Sequence, residues 1–538
     1  MMKSTRYLVF LACLFSAGAA FAQGGACPTG ANYVNPSSQL VTLSSLGVTS
    51  CFYASKSAGN DSNAGTSESS PWAHVPGMSG CSGKCAAVTP TGGEGFIMKG
   101  GDTWSAPSDF SSIQLGWGGG SSGAQIYWGV DQNWYNGGSF TRPIWNCNNT
   151  QCQQQVGSGG TNGYITLDDV EITGFEQTST GGNPVVIQAN GPNSGATRVY
   201  IHNFTTNNNV THSNALSSQS PGNGGAGSFW VQNVIDGSDS TQTFMGGVLH
   251  GSIVADNVIR YVYNGFNGAV DQFHGNFIEH NYESGDGDHC NMAFIQGPFS
   301  APNVLIYGNV IQHTSCPGSV TLWIGGLSCS SYNGYVFNNV IWDTQNGNVI
   351  NPPGQVGGCT TLRNWYFFNN TVECGPDSGP SAVCTADSGE GGDPDLATVT
   401  FINNQFITSS NSSPCVYSVV TCNLTTNWIN TLSTANAKGY SSSTPYAFQP
   451  TSTSGGTVAA GTLEQVLCGL LSGISPVAAS ACQNDTGYSV SYNTTNHTVT
   501  VPDRTSNPRS GSAWDIGAYQ NGKSPSPPVQ LQTTVTPQ

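Results

Sequence analysis

The chain has 538 residues, of which 8% are charged and 70 are glycine, and its formal net charge is −16. Its 13 lysines and arginines are too few for the basic surface that phosphate contacts need, so nucleic acid is not expected as a partner. The acidic surface also disfavours highly anionic substrates, because it would repel them.

The first 22 residues have the pattern of a secretory signal peptide. Lys3 and Arg6 precede an apolar stretch from Tyr7 to Ala20, and Ala20-Phe21-Ala22 has the small residues of a cleavage site. No second apolar run is long enough to span a bilayer. We therefore expect a secreted protein, either released or held at the cell surface, without a membrane span.

Cysteine usage fits an oxidising compartment. Cys13 lies within residues 1–22, so 17 − 1 = 16 cysteines remain, and this number is even. We expect sequence neighbours to pair as local disulfides: Cys27/Cys51, Cys81/Cys85, Cys147/Cys152, Cys290/Cys316, Cys329/Cys359, Cys374/Cys384, Cys415/Cys422 and Cys468/Cys482. No CxxC pair recurs at zinc spacing, so metal binding by these cysteines is the less favoured alternative.

Residues 23–160 are expected to form an amino-terminal cap and first coils, followed by a repeat over residues 161–410. In the repeat, two short alternating apolar runs meet at a polar pair that ends mostly in Asn. The pairs are Asp168-Asp169, His202-Asn203, Gln232-Asn233, Asp256-Asn257, Gly275-Asn276, Gly308-Asn309, Asn338-Asn339, Asn369-Asn370 and Asn403-Asn404. They recur every 19 to 34 residues, and their period-two alternation favours short β-strands over helical repeats.

Two columns of the repeat are apolar and are predicted to be the interior of a stack of coils. One lies three residues before the second member of each pair and the other two residues after it. The first column contains Val254, Phe273, Ile306, Val336, Phe367 and Phe401. The second contains Ile259, Ile278, Ile311, Ile341, Val372 and Phe406. Asn tolerates the left-handed backbone of a tight bend, and stacked Asn side chains are expected to bond to one another as a ladder.

Short motifs at both ends carry a family resemblance. They are Phe52-Tyr53-Ala54, the run Gly59–Thr66 with Pro71-Trp72, Gly100-Gly101-Asp102-Thr103, and Trp514-Asp515-Ile516-Gly517-Ala518-Tyr519. With the Asn repeat, they resemble secreted proteins of the pectate-lyase-like superfamily over residues 50–520. The resemblance implies an all-β, right-handed parallel β-helix with capped ends, in which the last motif belongs to a closing coil.

Residues 411–520 are expected to complete the coils and cap the carboxyl end. A short helix is predicted at Thr462–Leu471, with Thr462 as its N-cap. Residues 521–538 are rich in Pro and Ser and are expected to be disordered. A cap is required because the open end of a solenoid is an exposed strand edge. We expect a monomer, and the sequence leaves oligomerisation open.

One interruption of the repeat concentrates charged side chains. Glu283, Asp286, Asp288 and His289 fall within seven residues, just before the apolar run Met292–Ile295. By the resemblance, this loop leads into the strand on which β-helix polysaccharide enzymes commonly place catalytic groups, so we predict these four as catalytic residues. A solvated Asp-Gly turn or a calcium loop stays open as the alternative.

Arg260, His280 and His313, in the outward columns of the repeat, are predicted to bind substrate together with Trp323 and Asn348. Four places after each Asn stand Tyr261, His280, His313 and Asp343, and one place earlier stand Arg260, Glu279, Gln312 and Trp342. Arg260 and Glu279 stand in the same column of adjacent coils and are expected to form a surface ion pair. His280 and His313 are interpreted as stacking neighbours in preference to metal ligands. Trp323 and Asn348, on neighbouring coils, add an aromatic wall and a polar group.

The chemistry follows from the residue types. Glycan cleavage needs an acid and a base across the bond, and repulsion between Asp286 and Asp288 would raise one pKa, with His289 as an alternative base. A lyase would need a base and a cation such as calcium, but the chain has no lysine between Lys99 and Lys438. The residues favour hydrolysis over elimination.

Two further alternatives stay open. The chain is also compatible with a secreted protein that binds a glycan or an adhesive surface and catalyses nothing, because one fold serves many functions. The Asp61-Ser62-Asn63 segment is interpreted as an Asx-turn, with a calcium site as the less favoured alternative.

Overall fold

A computed structural model describes residues 23–115, 119–157, 162–177, 184–205, 213–240, 245–281, 291–297, 299–314, 320–324, 332–344, 348–351, 363–374, 383–385, 395–408, 413–414, 419–444, 446–484, 490–505 and 507–521. The predicted signal peptide and residues 522–538 of the predicted tail lie outside these residues. No helix in the described ranges is long and apolar enough to cross a bilayer.

The chain winds through three parallel sheets. Sheet 1 precedes each bend and contains Ser50–Ala54, Glu94–Gly100, Ile126–Tyr135, Ile165–Asp168, Gly195–Thr197, Phe229–Val231, the ends of Met245–Ala255 and Phe266–His274, Asn303–Tyr307, Asn333–Phe337, Arg363–Phe368, Asp395–Ile402 and Val419–Thr425. Sheet 2 follows the bend and contains Thr103–Ser105, Ile144–Thr150, Glu171–Phe175, Tyr200–His202, Val234–Asp236, Val258–Val262, Phe277–Asn281, Val310–Thr314, Val340–Thr344, Thr371–Glu373, Gln405–Thr408 and Trp428–Thr431. Sheet 3 contains Ile113–Gln114, Gln154–Val156, Val185–Ala189, Ser213–Ser218, the starts of Met245–Ala255 and Phe266–His274, Ala293–Ile295, Val320–Ile324, Asn348–Asn351 and Val383–Thr385.

Strands of successive coils pair in parallel and keep the apolar columns in register. Ile306 pairs with Val336, Val336 with Phe367, and Phe367 with Phe401. All twelve residues predicted for the interior are at most 1% exposed and belong to one continuous core. The prediction of an all-β, right-handed parallel β-helix is confirmed. Burial of these columns is the main stabilising contribution, because each large apolar side chain adds roughly 1.5–3 kcal/mol.

The predicted Asn ladder is present and extends one coil further than predicted. Its members are Asn233, Asn257, Asn276, Asn309, Asn339, Asn370, Asn404 and Asn427, and each Nδ2 donates to the next Oδ1 at 2.8–3.1 Å. From Asn257 onward each Oδ1 also accepts the backbone N–H of the preceding ladder Asn, as when Asn276 N donates to Asn309 at 3.0 Å, and Asn233 Oδ1 accepts that of Val199. The ladder therefore satisfies buried polar groups at the bend.

Two details of the bend differ from the prediction. The left-handed residue is the one before the ladder Asn, as at Asp256 with φ 59° and Gly308 with φ 63°. In the earliest coils the bends fall at Asp169-Val170 and Arg198-Val199, so the proposed copies at Asp168-Asp169 and His202-Asn203 were wrong. The strand pairing shows this for the second copy. Tyr200 pairs with Val234, the residue after the ladder Asn233, so Val199 and not Asn203 occupies the ladder position.

The amino-terminal region contains short strands and helices. An antiparallel pair, Tyr33–Val34 with Leu40–Val41, is followed by a 3-10 helix at Leu43–Leu46 and an α-helix at Gly83–Ala86. A second 3-10 helix lies further along the chain, at Pro221–Asn223.

Four predicted disulfides are confirmed: Cys27–Cys51, Cys81–Cys85, Cys147–Cys152 and Cys468–Cys482. Each of the other four couples includes a cysteine whose side chain lies outside the described residues.

Asp61 illustrates how this region satisfies its polar groups. Its Oδ1 accepts the N–H groups of Ala73 and His74 at 2.9 and 3.0 Å, and its Oδ2 contacts His74 Nδ1 at 2.8 Å. Asn60 forms the Asx-type bond by accepting Ser62 N–H at 2.9 Å. The turn is thus centred one residue earlier than proposed, and the Asp61 carboxylate has protein partners on both oxygens.

After the strand Trp428–Thr431 the chain reverses and runs back along the outside of the solenoid. This C-terminal strap, residues 432–521, contains helices at Leu432–Ala437, Gln465–Ser472 and Pro476–Cys482, and an antiparallel hairpin of Ser491–Asn493 and Thr498–Thr500. Its contacts move to earlier coils as far as the hairpin: Asn403 Nδ2 donates to Thr462 O, Val490 N donates to Gly275 O, and Arg142 Nη1 donates to Asn496 O. After the hairpin they return to later coils, and Gly517 N donates to Asn403 O.

The strap places two predicted elements differently from the expectation. The helix at Gln465–Ser472 begins three residues after the predicted start, because Thr462 donates to Glu464 Oε1 and does not cap the helix. The Trp514–Tyr519 motif belongs to no strand, and Ala518 N donates to Thr371 Oγ1 on the outside of sheet 2. This motif therefore ties the strap to the coils and does not close them as a coil strand.

Candidate functional site

The strap leaves part of the outer surface uncovered. Its helices cover the aromatic row Tyr307, Phe337 and Phe368 outside sheet 1. Its hairpin packs on Tyr200, Val234 and Val258, which form the first outward column of sheet 2. The later outward columns of sheet 2 and the outer face of sheet 3 remain, and the candidate site is built from them.

A kink recurs at one outward column of sheet 2. The register pairs Arg260 with Glu279 and Gln312 with Trp342, then skips the next residue of each strand. The skipped residues have left-handed backbones and form what we call the kink column: Tyr261 at φ 53°, His280 at 54°, His313 at 54° and Asp343 at 50°. An earlier coil has Gly174, with φ 68°, at this position.

The kink column carries conformational strain. A left-handed backbone costs a side-chain-bearing residue roughly 1–2 kcal/mol, and such residues cluster at functional sites. Glycine would avoid the cost at any of the four positions. Bulky and ionisable side chains in four consecutive coils therefore mark this column as a candidate site.

The rings of the kink column contact one another along the solenoid axis. Tyr261 and His280 stack with centroids 4.7 Å apart, and His280 and His313 lie 4.9 Å apart with planes tilted by 35°. Trp342 meets His313 edge to face at 5.0 Å, and His313 Nδ1 bonds to Asp343 Oδ2. The side chains of His280 and His313 are 31% and 32% exposed, so this row of rings is accessible.

Arg260 and Glu279 lie beneath the rings and correct one prediction. Arg260 Nε is 3.5 Å from Glu279 Oε1 and 3.6 Å from Asp236 Oδ1, so the ion pair is present. The two side chains are only 4% and 5% exposed, so the pair is buried and not a surface pair. The Arg260 guanidinium lies between the rings of Tyr261 and Tyr492, at 4.7 and 5.8 Å, which places it under the strap.

The carboxylates on this face are held in the ionised form. Burial alone would raise the pKa of Glu279, but its interaction with His280 and the charge of Arg260 together lower it. The hydrogen bond from His313 lowers the pKa of Asp343 against the opposing effect of partial burial. Both groups are therefore acceptors at neutral pH, suited to orienting a neighbouring histidine.

Sheet 3 contributes an aromatic platform. Phe294 pairs with Trp323, and their rings stack with centroids 4.4 Å apart. Asn267 precedes Phe294 in the same outward column and accepts a hydrogen bond from Gln296 Nε2 at 3.0 Å. Both rings are partly exposed, and Trp323 is the residue predicted to form an aromatic wall of the site. Asn348 begins the strand Asn348–Asn351, and its side chain lies outside the described residues.

The structure brings together some of the predicted site residues. Arg260, His280 and His313 are neighbours on sheet 2, and Trp323 lies on sheet 3. The four predicted catalytic residues, Glu283, Asp286, Asp288 and His289, lie outside the described residues. Their loop leaves sheet 2 after Asn281 and reaches sheet 3 at Ala293. Within the described part of the chain, no group of three or more His, Cys, Asp or Glu is arranged to hold a metal ion.

The prediction missed Phe294, Asn267 and the role of Asp343. Counting four residues from each Asn had already placed Asp343 in the column of His313, but its bond to His313 was not predicted. Phe294 has no such signal, since the loop before it breaks the count.

Comparison with known proteins adds a fold likeness of low similarity. No family model and no curated protein matches the sequence. Among solved structures, a GH136 lacto-N-biosidase from Eubacterium ramulus gives a TM-score of 0.40 at 11% identity, over 71% of this chain and 68% of that one. Pectate lyase Pel9A gives a TM-score of 0.39 at 13% identity, over 88% of this chain and 96% of that one. A rhamnogalacturonan lyase gives a TM-score of 0.36 at 14% identity, over 70% of this chain and 87% of that one. Likeness at this level transfers neither an activity nor a site to this chain.

Proposed function

We propose that the protein is a secreted enzyme that cleaves polysaccharide on the face formed by the kink column and the Phe294–Trp323 platform. The observation that carries this proposal is the strained row of Tyr261, His280, His313 and Asp343. Strained positions of this kind are retained where the side chain serves a function. The face lies beside a loop that concentrates four ionisable side chains.

The chemical character of the face supports a sugar ligand. Aromatic rings stack on the apolar faces of sugars while histidine, amide and carboxylate groups bond to hydroxyls, and this face has both kinds of group. A net charge of −16 supports neutral or weakly anionic glycans over highly anionic ones. A flat row of accessible groups along the solenoid axis suits an extended chain.

In this proposal Asp286 and Asp288 supply the acid and base, with His289 and Glu283 as further candidates. Hydrolysis is favoured over elimination because the coils have no lysine base: none occurs between Lys99 and Lys438. His280, His313, Trp323 and Asn348 are proposed to bind the glycan. Arg260 is 4% exposed, so we assign it the positioning of Glu279 and not direct contact with sugar.

Activity is tested by incubating the purified protein with neutral and acidic polysaccharides, with and without calcium. New reducing ends without unsaturated products indicate hydrolysis, and ultraviolet-absorbing products indicate a lyase. We expect Asp286→Asn and Asp288→Asn to reduce turnover by at least about 100-fold, the usual share of general acid–base catalysis. The matched control is Asp503→Asn, an exposed acid on the strap, which should keep full activity.

Two results would contradict the proposal. Unchanged turnover in both loop variants would remove the loop from catalysis. Binding to a glycan without any product across the panel would favour the non-catalytic, adhesive alternative.

Secretion is part of the same proposal. The confirmed disulfides fit an oxidising compartment, where such bonds persist. The protein recovered from the culture medium should begin near Gln23. Recovery of the chain with residues 1–22 intact, inside the cell, would contradict secretion.

A further inference from the structure

We propose that His280 and His313 form a binding site for a divalent first-row transition-metal ion, held by their Nε2 atoms and completed by water. The two histidines occupy the same position on neighbouring coils, and both are about one-third exposed. Imidazole nitrogen is a preferred ligand of Zn²⁺, Cu²⁺ and Ni²⁺. The site does not depend on the proposed activity, since it can be measured without polysaccharide.

The first argument is the orientation of each imidazole. His313 Nδ1 bonds to Asp343 Oδ2, and His280 Nδ1 lies 3.5 Å from Glu279 Oε2. A carboxylate bonded to Nδ1, as at His313, places the proton there and leaves Nε2 as the basic nitrogen, which is the usual arrangement of metal-binding histidines. Within the described residues His280 Nδ1 is buried and makes no hydrogen bond, so Glu279 favours the same tautomer only by its charge. Neither Nε2 makes a hydrogen bond within the described residues.

The second argument is the ring spacing. A metal ion about 2.0–2.1 Å from each Nε2 lies about 3.2 Å from each ring centroid, so two rings sharing it at about 90–110° have centroids about 4.5–5.2 Å apart. The observed separation of 4.9 Å, with the planes tilted by 35°, is compatible with a shared ion. It is also the spacing of other rings on neighbouring coils, such as Tyr307 and Phe337 at 4.8 Å, so it permits the site and does not by itself indicate it. Asp343 belongs to the coil beyond His313, so the Nδ1 edge of His313 faces away from His280.

The third argument is the local charge. The outward columns around the two histidines carry Asp236, Glu279, Asp343, Glu373 and Arg260, so four carboxylates face one guanidinium, and 1 − 4 gives a net charge of −3. Glu373 belongs to this group because its Oε2 accepts the backbone N–H of Asp343 at 2.8 Å. In a chain with only 8% charged residues, this concentration of negative charge attracts a cation.

The test is calorimetric titration of Zn²⁺ alone into the chelator-treated full-length protein. We expect one site, and we expect the double variant His280→Gln/His313→Gln to lose at least tenfold in affinity. Asp343→Asn should lose about tenfold, because outer carboxylates typically contribute 10- to 100-fold. The matched control is His497→Gln, which changes a histidine of the strap hairpin and should keep wild-type affinity.

A second readout identifies the ligands. Electron paramagnetic resonance of the protein with one equivalent of Cu²⁺ should show coupling to two imidazoles, and this signal should be absent from the double variant. Circular dichroism confirms that each variant is folded. The proposal is overturned if the wild type binds no Zn²⁺ below about 1 mM, or if the double variant binds Zn²⁺ as tightly as the wild type.

Discussion

At the scale of single residues, Asn309 shows how much one side chain contributes to the solenoid. Its Nδ2 donates to Phe273 O at 3.0 Å and to Asn339 Oδ1 at 2.9 Å, and its Oδ1 accepts two bonds from Asn276 at 3.0 Å. Removing this side chain leaves buried hydrogen-bond donors and acceptors without a partner. An unsatisfied buried group costs about 1–3 kcal/mol.

We therefore expect Asn309→Ala to lower the free energy of unfolding by roughly 2–4 kcal/mol, measured by urea denaturation. The matched control is Asn427→Ala, at the partly exposed last position of the ladder, where water replaces lost bonds. It should cost less than half as much. Equal effects at both positions would mean that burial does not set the contribution of the ladder.

Sequence reasoning succeeded best at this scale. The interior columns were predictable because the side-chain period of a strand is two, so the position of one Asn determines which neighbours point inward. The bend itself was misplaced by one residue, because Asn is compatible with both positions of the pair. The left-handed backbones of the kink column were not predicted, because the enrichment of His and Asp in that region still leaves it a minority conformation for them, and Tyr has no such enrichment.

At the scale of elements, His202 connects three parts of the outer surface. It lies on the strand Tyr200–His202, bonds to Asp239 at 2.6 Å and to Glu171 at 3.2 Å, and stacks on Tyr200, which in turn stacks on His497 of the strap. Burial lowers the pKa of His202, but the bonds with Asp239 and Glu171 outweigh it and raise the pKa from 6.5 to about 9. At neutral pH this histidine is a cation between two carboxylates.

The raised pKa predicts a pH-dependent contribution to stability. Because the folded pKa lies above the unfolded one, the stabilisation is complete below about pH 6.5 and is lost as the pH rises through about 9. Asp239 is half exposed, so after screening we expect on the order of 1–2 kcal/mol. Urea denaturation of His202→Gln against the wild type should show this difference at about pH 6 and little of it at about pH 10. A difference that grows with pH would contradict the assignment.

The helix Gln465–Ser472 offers a matched pair for the strap. Leu471 is fully buried in the cluster with Tyr307 and Phe337, whereas Leu470, its neighbour, is 52% exposed. We expect Leu471→Ala to lower the free energy of unfolding by about 2–5 kcal/mol, the usual cost of a cavity, and Leu470→Ala to change it by less than about 0.5 kcal/mol. Thermal denaturation followed by circular dichroism measures both. A similar small change in both variants would mean that the strap helix is not part of the folded core.

The helix was predictable, but its partner was not. Apolar residues and a preceding threonine predict a helix in this segment. Its first residue was predicted wrongly, because Thr462 was expected to be the N-cap but its hydroxyl bonds to Glu464. The aromatic row that the helix covers was visible in the sequence as a column two places before each Asn. Nothing local connects that row with a helix that begins 465 − 368 = 97 residues after its last member, Phe368.

At the scale of the whole molecule, the strap changes how a solenoid should unfold. Coils of a repeat protein contact only their neighbours, so their stability is nearly a sum of local contributions. Here the strap ties distant coils together: Arg504 bonds to Asp256, Arg509 to Asn338 at 2.9 Å, and Gly517 N–H to Asn403 O at 2.7 Å. The coils between Asp256 and Asn403 should therefore unfold together.

Deleting residues 432–538 tests this coupling. The truncated chain keeps every coil strand but uncovers Tyr307, Phe337 and Phe368, now at most about 1% exposed, and each buried aromatic contributes roughly 1.5–3 kcal/mol. We expect it to bind a hydrophobic dye, to associate, and to replace one unfolding transition by a broad or stepwise one. The full-length chain with Leu470→Ala is the control that alters the strap without removing it. A truncated chain that stays monomeric, dye-free and cooperative would show that the coils alone determine the stability, and the strap would then be an independent element lying on a self-sufficient solenoid.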